Sequence, residues 1–332
     1  MSLTGRISLP ALRRRTAVIA TTLALTGGTL TLGATSALAG EVPPAGGTAA
    51  AQAQPARQAR QARQTSVVWA MTATGRRVPL AQPTFTRTPV HPEKITHPGR
   101  DFMGSTVAGH EHWSGHGVQP NTVPQLPGID VSAYQGNINW ANVAPHIDFS
   151  YAKATEGTYY TNPDFTNQYE GPYNAGLIRG SYHFANPANS QGNTQADYFI
   201  SHGGGWSGDG KTLPGALDIE YNPYGSECYS LTQSQMVTWL WNFVNEYAHR
   251  EGVYPTIYST TDWWSTCTGN YGGFGSFDPL WIANYSASHG GTLPNGWGFY
   301  TFWQYADSGS LPGDQDVFNG AFSQLQVLAT NG

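Results

Sequence analysis

Two acidic residues separated by one apolar residue form the sequence feature with the clearest potential for chemistry. Asp218 and Glu220 alternate with Leu217 and Ile219 in the run Leu213–Glu220. Side chains of a β-strand alternate between its two faces, so both carboxyls are expected on one face. Neighbouring acids disfavour joint ionisation, which raises one pKa and keeps a proton available at neutral pH. The pair therefore predicts a general acid, although D-x-E is short and also occurs at solvated strand ends.

Other acids stand at the ends of two further predicted strands. Asp130 interrupts the short apolar run Gly128–Ser132, and Asp314 and Asp316 lie at the last predicted strand. In an α/β barrel, strand ends converge at one mouth, which is where catalytic residues are found. These acids are therefore expected to meet the D-x-E pair at that mouth.

Aromatic side chains beside these acids would suit a sugar, because the C–H faces of a sugar ring stack on aromatic rings. For any single ring, a place in the barrel core is the more frequent outcome. The candidates for substrate contact are the aromatic residues Tyr182, Trp281, Tyr285 and Tyr305, together with Gln304, which precedes Tyr305.

The elements that must position these residues follow from the pattern of residues 125–332. Helix-length segments separate the early strand-like runs, whereas Gly/Pro-rich loops join the last three, which predicts an α/β barrel. The clearest helix is Gln233–Arg250, with a capping box at Thr232 and Gln235 and with Gly252 just past its end. The eight candidate strands are Gly128–Ser132, Phe149–Ala154, Ile178–Phe184, Gly215–Glu220, Thr256–Ser259, Pro279–Tyr285, Phe299–Tyr305 and Asp316–Phe318.

The first 124 residues differ in composition from the rest of the chain. A basic start, an uncharged stretch and the site Ala37-Leu38-Ala39 predict a cleaved secretory signal peptide over residues 1–39, with an N-terminal membrane anchor as the alternative. Residues 40–124 contain few large apolar residues, and Ala-Arg-Gln occurs there three times in succession over residues 56–64. That composition predicts a flexible, basic pro-segment or linker.

Charge and cysteine content limit the classes of function. Of the 16 Lys and Arg residues in the 332-residue chain, residues 125–332 hold only four, so nucleic-acid binding is not expected. No long apolar stretch follows the N-terminal region, so the mature form is not expected to span a membrane. Cys228 and Cys267 are expected to form one disulfide in an oxidising compartment. The histidines within residues 110–116 are expected to be solvated, and neither a metal nor a cofactor is expected.

Eight motifs follow one another in residues 128–320. They are Gly128–Ser132, Gln135-Gly136, Tyr151–Gly157, Arg179–Phe184, Leu217–Glu220, Trp281–Tyr285, Phe302–Tyr305 and Asp316–Gly320. Together they resemble the motifs of the family 25 glycoside hydrolases, which are secreted or phage-borne lysozymes. The resemblance covers the chain from about residue 128 to the C-terminus.

This resemblance implies an irregular TIM-like barrel of the (β/α)5(β)3 type. It also implies hydrolysis of the β-1,4 bond between N-acetylmuramic acid and N-acetylglucosamine in peptidoglycan. Asp316 is the alternative for the late acid, because Gly313 stands where the family usually has an apolar residue. The catalytic acids carried over from the family are Asp130, Asp218, Glu220 and Asp314.

With these residues, Glu220 is expected to protonate the leaving glycosidic oxygen and then to activate water. Two routes remain open on the other side of the sugar. Asp130 could act directly as nucleophile or base, or the substrate's own 2-acetamido oxygen could attack while Asp218 orients the amide. The second route is favoured, because Asp218 and Glu220 lie two residues apart on one strand. Glu220 can then act as the acid while Asp218 holds the amide of the substrate.

Two other functions fit the residues less well. A chitinase of the D-x-x-D-x-D-x-E type needs acids upstream of Asp218, where Ala216 stands. A non-catalytic domain that binds cell-wall glycan would not need all the acids that are present. The expected partner is therefore the peptidoglycan glycan strand, and the protein is expected to be a secreted or cell-wall-associated monomer.

Overall fold

A closed barrel of eight β-strands forms the centre of this computed structural model, which describes residues 69–71, 77–79, 84–111, 125–286 and 288–332. The strands are β1 (Trp69–Met71), β2 (Arg77–Pro79), β3 (Leu126–Val131), β4 (Phe149–Glu156), β5 (Tyr160–Thr161), β6 (Ile178–Phe184), β7 (Ala216–Asp218), β8 (Thr256–Ser259), β9 (Leu280–Ala283), β10 (Phe302–Ala306) and β11 (Asp314–Phe318). The barrel consists of β3, β4 and β6–β11. Strands β1 and β2 pair with each other, and β5 pairs with the end of β4.

Neighbouring barrel strands run parallel except where β11 takes part. Strand β11 pairs antiparallel with both β10 and β3, and the pairing of β3 with β4 closes the barrel. In this register Asp314 lies opposite Asp130, while Asp316 lies opposite Gly128 and Gln304. Because β11 begins where the parallel strands end, Asp314 lies at the mouth and Asp316 lies deeper.

A helix follows each of the first five barrel strands. The helices are α1 (Val107–Glu111), α2 (Trp140–Val143), α3 (Phe165–Asn174), α4 (Gly192–Phe199), α5 (Gln233–Glu251), α6 (Thr261–Thr268) and α7 (Phe322–Asn331). Helices α2–α6 follow β3, β4, β6, β7 and β8, whereas short turns and loops join β9, β10 and β11. The predicted (β/α)5(β)3 barrel is therefore confirmed. Within the described ranges, no helix has the length and apolar character needed to cross a membrane.

Helix α5 begins and ends where its capping signals predict. The hydroxyl of Thr232 accepts a hydrogen bond from the backbone N–H of Gln235, whose side chain accepts one from the N–H of Thr232. Gly252 follows the last turn with a left-handed φ of 80°. A disulfide joins Cys228, just before α5, to Cys267 in α6, with Cα atoms 5.4 Å apart. The helix and the disulfide were both predicted from the sequence, and both are confirmed.

The two faces of the barrel strands pack in two separate buried clusters. The outer face carries apolar residues such as Leu217 and Ile257, which pack with Leu240 and Phe243 of α5 in one buried cluster. The inner face is filled by a second cluster of mainly aromatic side chains from several strands. Burial of each large apolar side chain contributes about 1.5–3 kcal/mol. Stability therefore comes mainly from these two layers, and the mouth above them can carry polar groups.

Residues 84–111, which we call the mouth segment, lie across the carboxyl ends of the barrel strands. Met103 and Val107 are fully buried there, and α1 forms the last turn of the segment. This stretch belongs to the region predicted to be a flexible linker, yet it is held by the contacts with the barrel that are given below. The predicted signal peptide (residues 1–39) and the predicted boundary at residue 124 lie outside the described residues and stay predictions.

Candidate active site

The D-x-E pair lies at the barrel mouth, on β7 and directly after it. Asp218 is fully buried and Glu220 is 1 % exposed. Leu217 and Ile219, which alternate with these acids, pack in the outer apolar cluster. Strand β7 is shorter than the sequence predicts, but the alternation extends beyond its end.

Asp130 and Asp314 lie side by side across the β3–β11 pair, and one glutamine holds both. Nε2 of Gln304 donates to Oδ2 of Asp130 at 2.7 Å and to Oδ2 of Asp314 at 3.1 Å. Oε1 of Gln304 accepts hydrogen bonds from the hydroxyls of Tyr258 and Tyr285, both at 2.6 Å. These hydroxyls fix the orientation of the amide, so its N–H groups must face the two acids.

Gly313 permits the close approach of β11 to β3 just before Asp314. Its φ is 77°, which is left-handed, and a Cβ at this position would collide with the backbone oxygen of Asp130. The position that usually carries an apolar residue in the family therefore requires glycine here.

Asp316, the alternative late acid, lies within the barrel core. It is fully buried, and one of its carboxylate oxygens accepts a hydrogen bond from Nε1 of Trp281 at 3.1 Å. The indole of Trp281 packs against the ring of Tyr151, with ring centroids 4.8 Å apart. Asp314 shares the amide of Gln304 with Asp130, whereas Asp316 is held one layer below.

The remaining predicted contact residues divide between the mouth and the outer layer. Tyr182 lies at the mouth, where its hydroxyl accepts a hydrogen bond from the backbone N–H of Met103 at 3.2 Å. Tyr285 lies there as well, through its bond to Gln304. Tyr305 is half-buried and packs against Trp303, with ring centroids 5.8 Å apart, in the cluster between barrel and helices. The structure therefore does not bring Tyr305 to the acids.

Burial and mutual repulsion raise the pKa values of the acids at the mouth. Burial raises the pKa of Asp130 to about 7. Burial, together with the charge of Glu220, raises the pKa of Asp218 well above its usual value. Burial and the charge of Asp130 do the same to the pKa of Asp314. The cluster therefore retains protons at neutral pH, which a general acid requires.

Glu220 and Asp218 differ in their hydrogen-bond partners. Glu220 accepts hydrogen bonds from the N–H of Gly104, from the N–H of Thr106 at 3.0 Å and from the hydroxyl of Thr106 at 2.7 Å. Burial raises the pKa of Glu220, while these donors oppose the rise. Apart from a proton shared with Glu220, no described residue donates to Asp218. A buried carboxyl without a donor is ready to accept one from a ligand.

A proton-retaining acid beside further carboxyls is the arrangement that most glycoside hydrolases use. The sequence profile of the glycosyl hydrolases family 25 matches residues 129–314, which is more than half of the chain. The chain belongs to this family. The family assignment made from the motifs is confirmed.

Relatives within family 25 agree with this assignment. Lysozyme M1 of Streptomyces globisporus is 42 % identical over 277 residues, which cover 80 % of this chain and 91 % of that protein. The N,O-diacetylmuramidase of Chalaropsis sp. is 46 % identical over 209 residues, covering 62 % of this chain and 99 % of that one. The solved muramidase of Acremonium alcalophilum is 54 % identical, with a TM-score of 0.61, and covers 62 % of this chain and 100 % of its own. The prediction of a glycoside hydrolase of the lysozyme type is confirmed.

Sequence reasoning missed a polar network at the end of β4 in this family 25 enzyme. Nζ of Lys153 lies 2.7 Å from Oε2 of Glu156, and both side chains are fully buried. The hydroxyl of Tyr224 lies 2.6 Å from Oε1 of Glu156 and 2.5 Å from Oδ2 of Asp101, and it can donate to either carboxylate. The Lys153–Glu156 pair did have a sequence signal, because two charged residues stand within the otherwise uncharged run of β4. Asp101 and Tyr224 carry no such signal, because 123 positions separate them.

The histidines proposed to be solvated lie partly outside the described residues. His110 stacks on Tyr221, with ring centroids 4.0 Å apart, and its Nδ1 lies 3.7 Å from Oε1 of Glu227. His112 and His116 lie outside the described residues. In the part of the chain that the structure describes, no cluster of His, Cys, Asp and Glu has the geometry of a metal site.

Proposed function

We propose that this family 25 glycoside hydrolase is a muramidase, which cleaves the β-1,4 bond between N-acetylmuramic acid and N-acetylglucosamine in peptidoglycan. The observation that carries the proposal is the buried D-x-E pair, whose two carboxyls share a proton and in which Asp218 receives no hydrogen bond from any other described residue. The relatives named lysozyme and N,O-diacetylmuramidase support the same substrate class.

Glu220 acts as the general acid. Burial raises its pKa, which favours the protonated form that a general acid needs. That proton passes to the glycosidic oxygen as the bond from this oxygen to C1 of the muramic acid breaks. The resulting carboxylate then takes a proton from the water that attacks C1, which restores the starting state.

Asp218 assists the attack on C1 through the substrate. The 2-acetamido oxygen of the muramic acid forms the first bond to C1 and gives an oxazolinium ion. Asp218 accepts the amide N–H and stabilises the positive charge, and its lack of another donor in the resting site supports this role. Water then opens the ring, so two displacements occur at C1 and the product keeps the β configuration.

Asp130 and Asp314 stabilise the transition state from the opposite wall. Gln304 holds both carboxyls in place, with Tyr258 and Tyr285 fixing its amide. The positive charge that develops on the sugar favours the ionised forms of these acids, so their electrostatic contribution is greatest at the transition state. Gln304 and the two tyrosines are positioning residues in this scheme.

The protein is proposed to act outside the cell as a monomer. The basic start, the uncharged stretch and the Ala37-Leu38-Ala39 site support export through a signal peptide. The disulfide between Cys228 and Cys267 supports an oxidising compartment. The substrate in that setting is the glycan strand of the cell wall.

Mass spectrometry of peptidoglycan digests tests the proposed reaction. Purified peptidoglycan is digested with the full-length protein and reduced with borohydride, and the new reducing ends are identified. Muramidase action yields reduced muramic acid ends, whereas reduced glucosamine ends would overturn the proposal. The Glu220→Gln variant, purified in parallel, controls for contaminating lysozyme and should release at least about 100-fold less of either end.

The anomeric configuration of the first product tests the route. Early NMR spectra of the reaction on a soluble glycan should show the β anomer before mutarotation. An α product would mean a single displacement by water, with Asp130 or Asp218 as base, and would end the substrate-assisted route while leaving the muramidase assignment intact.

A further inference from the structure

The mouth segment binds the two oxygens of the proposed general acid. The N–H of Gly104 donates to Oε1 of Glu220, while the N–H and hydroxyl of Thr106 donate to Oε2. Both carboxylate oxygens are therefore occupied by residues of the same short stretch. A glycosidic oxygen must reach one of them to be protonated, so substrate and segment cannot bind Glu220 together.

Met103 and Gly104 fill the space between the other site residues. Met103 is fully buried among the inner barrel residues; its N–H donates to the hydroxyl of Tyr182, and its carbonyl accepts from Nε2 of Gln304 at 3.2 Å. Gly104 has a φ of 91°, and a Cβ there would collide with the hydroxyl of Tyr285 and with Oε1 of Gln304. The backbone thus lies so close to the site that only glycine fits at position 104.

Further contacts hold the segment before it reaches Glu220. Its first part is anchored by Thr88, whose N–H donates to Oε1 of Gln191 at 2.9 Å and whose carbonyl accepts from Nε2 of the same residue at 2.8 Å. Nearer the mouth, the carbonyl of Asp101 accepts from Lys153, and the N–H of Gly99 donates to Oε2 of Glu156 at 3.0 Å. The segment therefore follows a defined path into the site rather than covering it loosely.

The mouth segment is not needed to complete a barrel of this family. The Acremonium alcalophilum muramidase is covered in full by 62 % of this chain, about the length of residues 125–332. The match to Lysozyme M1 covers 80 % of this chain, more than residues 125–332 alone supply, so that relative continues into the N-terminal region. The segment is thus an addition to the barrel that the solved chain of the Acremonium muramidase does not include.

We propose that the mouth segment is a built-in inhibitor, which occupies the active site and lowers the activity of the enzyme until it is displaced or removed. This inference rests on the proposed function of the same site. The segment excludes the glycan from Glu220, Gln304 and Tyr182. Its donors to Glu220 also lower the pKa of that carboxyl, against the rise that burial causes, and so weaken it as a proton donor.

Two glycine-to-alanine changes in the full-length chain test the inhibition. Gly104→Ala places a methyl group against Tyr285 and Gln304 at a left-handed φ, whereas Gly109→Ala adds the same group in open space on α1. We expect Gly104→Ala to raise kcat/KM on a soluble peptidoglycan fragment at least about tenfold, because alanine in the left-handed region alone disfavours docking by about that factor. Gly109→Ala should leave kcat/KM within about twofold of wild type, since a helix tolerates alanine better than glycine.

Hydrogen exchange shows whether the segment has moved, independently of turnover. Faster amide exchange over residues 99–107 in Gly104→Ala, together with higher kcat/KM, supports the inhibitor. Faster exchange with unchanged turnover overturns it and leaves the muramidase intact. If both proteins lack activity on every peptidoglycan although the segment is displaced, the proposed function fails instead. If neither exchange nor turnover changes in Gly104→Ala, the close fit of Gly104 at its left-handed φ does not hold the segment in place, and the proposal is rejected.

A peptide added in trans gives a second measurement. A synthetic peptide of residues 84–111 should inhibit the Gly104→Ala enzyme competitively with substrate, and the same peptide with the Gly104→Ala change should inhibit at least about tenfold more weakly. A tethered segment acts at an effective concentration on the order of millimolar, so the free peptide is tested up to that concentration. Calorimetry on the same samples measures peptide binding without turnover. An absence of both binding and inhibition at millimolar peptide would refute the inference.

Discussion

The two ends of the barrel hold buried charge in opposite ways. At the amino end, the guanidinium of Arg179 lies 4.0 Å from the ring centroid of Tyr169 and 4.6 Å from that of Tyr173, and it donates to the hydroxyl of Thr212. At the carboxyl end, the acids of the D-x-E pair lie side by side with raised pKa values. The charge of Arg179 has partners that stabilise it, whereas the D-x-E acids destabilise the fold and supply the chemistry.

This difference separates the residues that stabilise the barrel from those that act on substrate. A buried cation over two rings is favourable by about 2 kcal/mol when it is desolvated. Buried acids without counter-charges are unfavourable, and acids of this kind cluster at functional sites. Substitutions at the amino end should therefore lower stability, and substitutions at the carboxyl end should lower activity.

The largest effect is expected at Glu220. Glu220→Gln removes the proton donor, so kcat on peptidoglycan should fall between about 10²-fold and 10⁴-fold, the usual contribution of a general acid. The midpoint of thermal unfolding should change little, because the change removes one of several mutually repelling acids but also weakens the hydrogen bonds from Gly104 and Thr106. Glu170→Gln, at an exposed position on α3, is the matched control and should retain full activity. Near-normal turnover by Glu220→Gln would remove this residue from the mechanism.

The next largest effect concerns the disulfide that ties the loop after β7 to α6. The cysteines are 39 positions apart in the sequence, and replacing both by alanine should lower the free energy of unfolding by about 4 kcal/mol in the chain-entropy view. Denaturant titration measures the loss. Turnover at 25 °C should change little, because neither cysteine reaches the acids. A loss of activity without a loss of stability would mean that this loop belongs to the carboxyl-end chemistry after all.

Asp218→Asn should lower activity while raising stability. Loss of the charge that stabilises the oxazolinium ion should reduce kcat by roughly 10²-fold, with a smaller change in KM. Because the folded-state pKa of Asp218 is raised, the wild-type protein loses stability as pH rises above the usual Asp range of about 4. The variant should therefore unfold at a higher temperature than wild type at pH 7, and this gain should vanish below about pH 4. A lower unfolding temperature at pH 7 would contradict the assignment of Asp218 as an uncompensated acid.

The smallest effect is expected at the amino end. Arg179→Ala should lower the free energy of unfolding by about 2 kcal/mol through loss of the two ring contacts, and kcat should stay within about twofold. Arg250→Ala removes a partly exposed ion pair with Asp197 and should change stability by less than about 1 kcal/mol. Equal losses for the two variants, measured by denaturant titration, would show that the ring contacts contribute nothing beyond an ordinary surface charge.

Several parts of the fold and the site could be predicted from short stretches of sequence. The alternation around Asp218 and Glu220, the capping box at Thr232 and the left-handed Gly252 are each settled within a few residues. These signals work because period-two alternation and helix capping are local effects. The placement of Trp281 and Tyr305 could not be settled this way, since a strand aromatic has the same sequence signal whether it faces the mouth, the core or the helices.

The sequence by itself determined that acids would project from strand ends and that a barrel would carry them. Only the tertiary structure decided that Asp314 shares the amide of Gln304 with Asp130 and that Asp316 lies below it, because this depends on the antiparallel register of β11. It also decided that residues 84–111 occupy the mouth. Their contact with Glu220 spans more than a hundred positions, and its main donors are backbone N–H groups. Every residue except proline has such a group, so composition carried no sign of it.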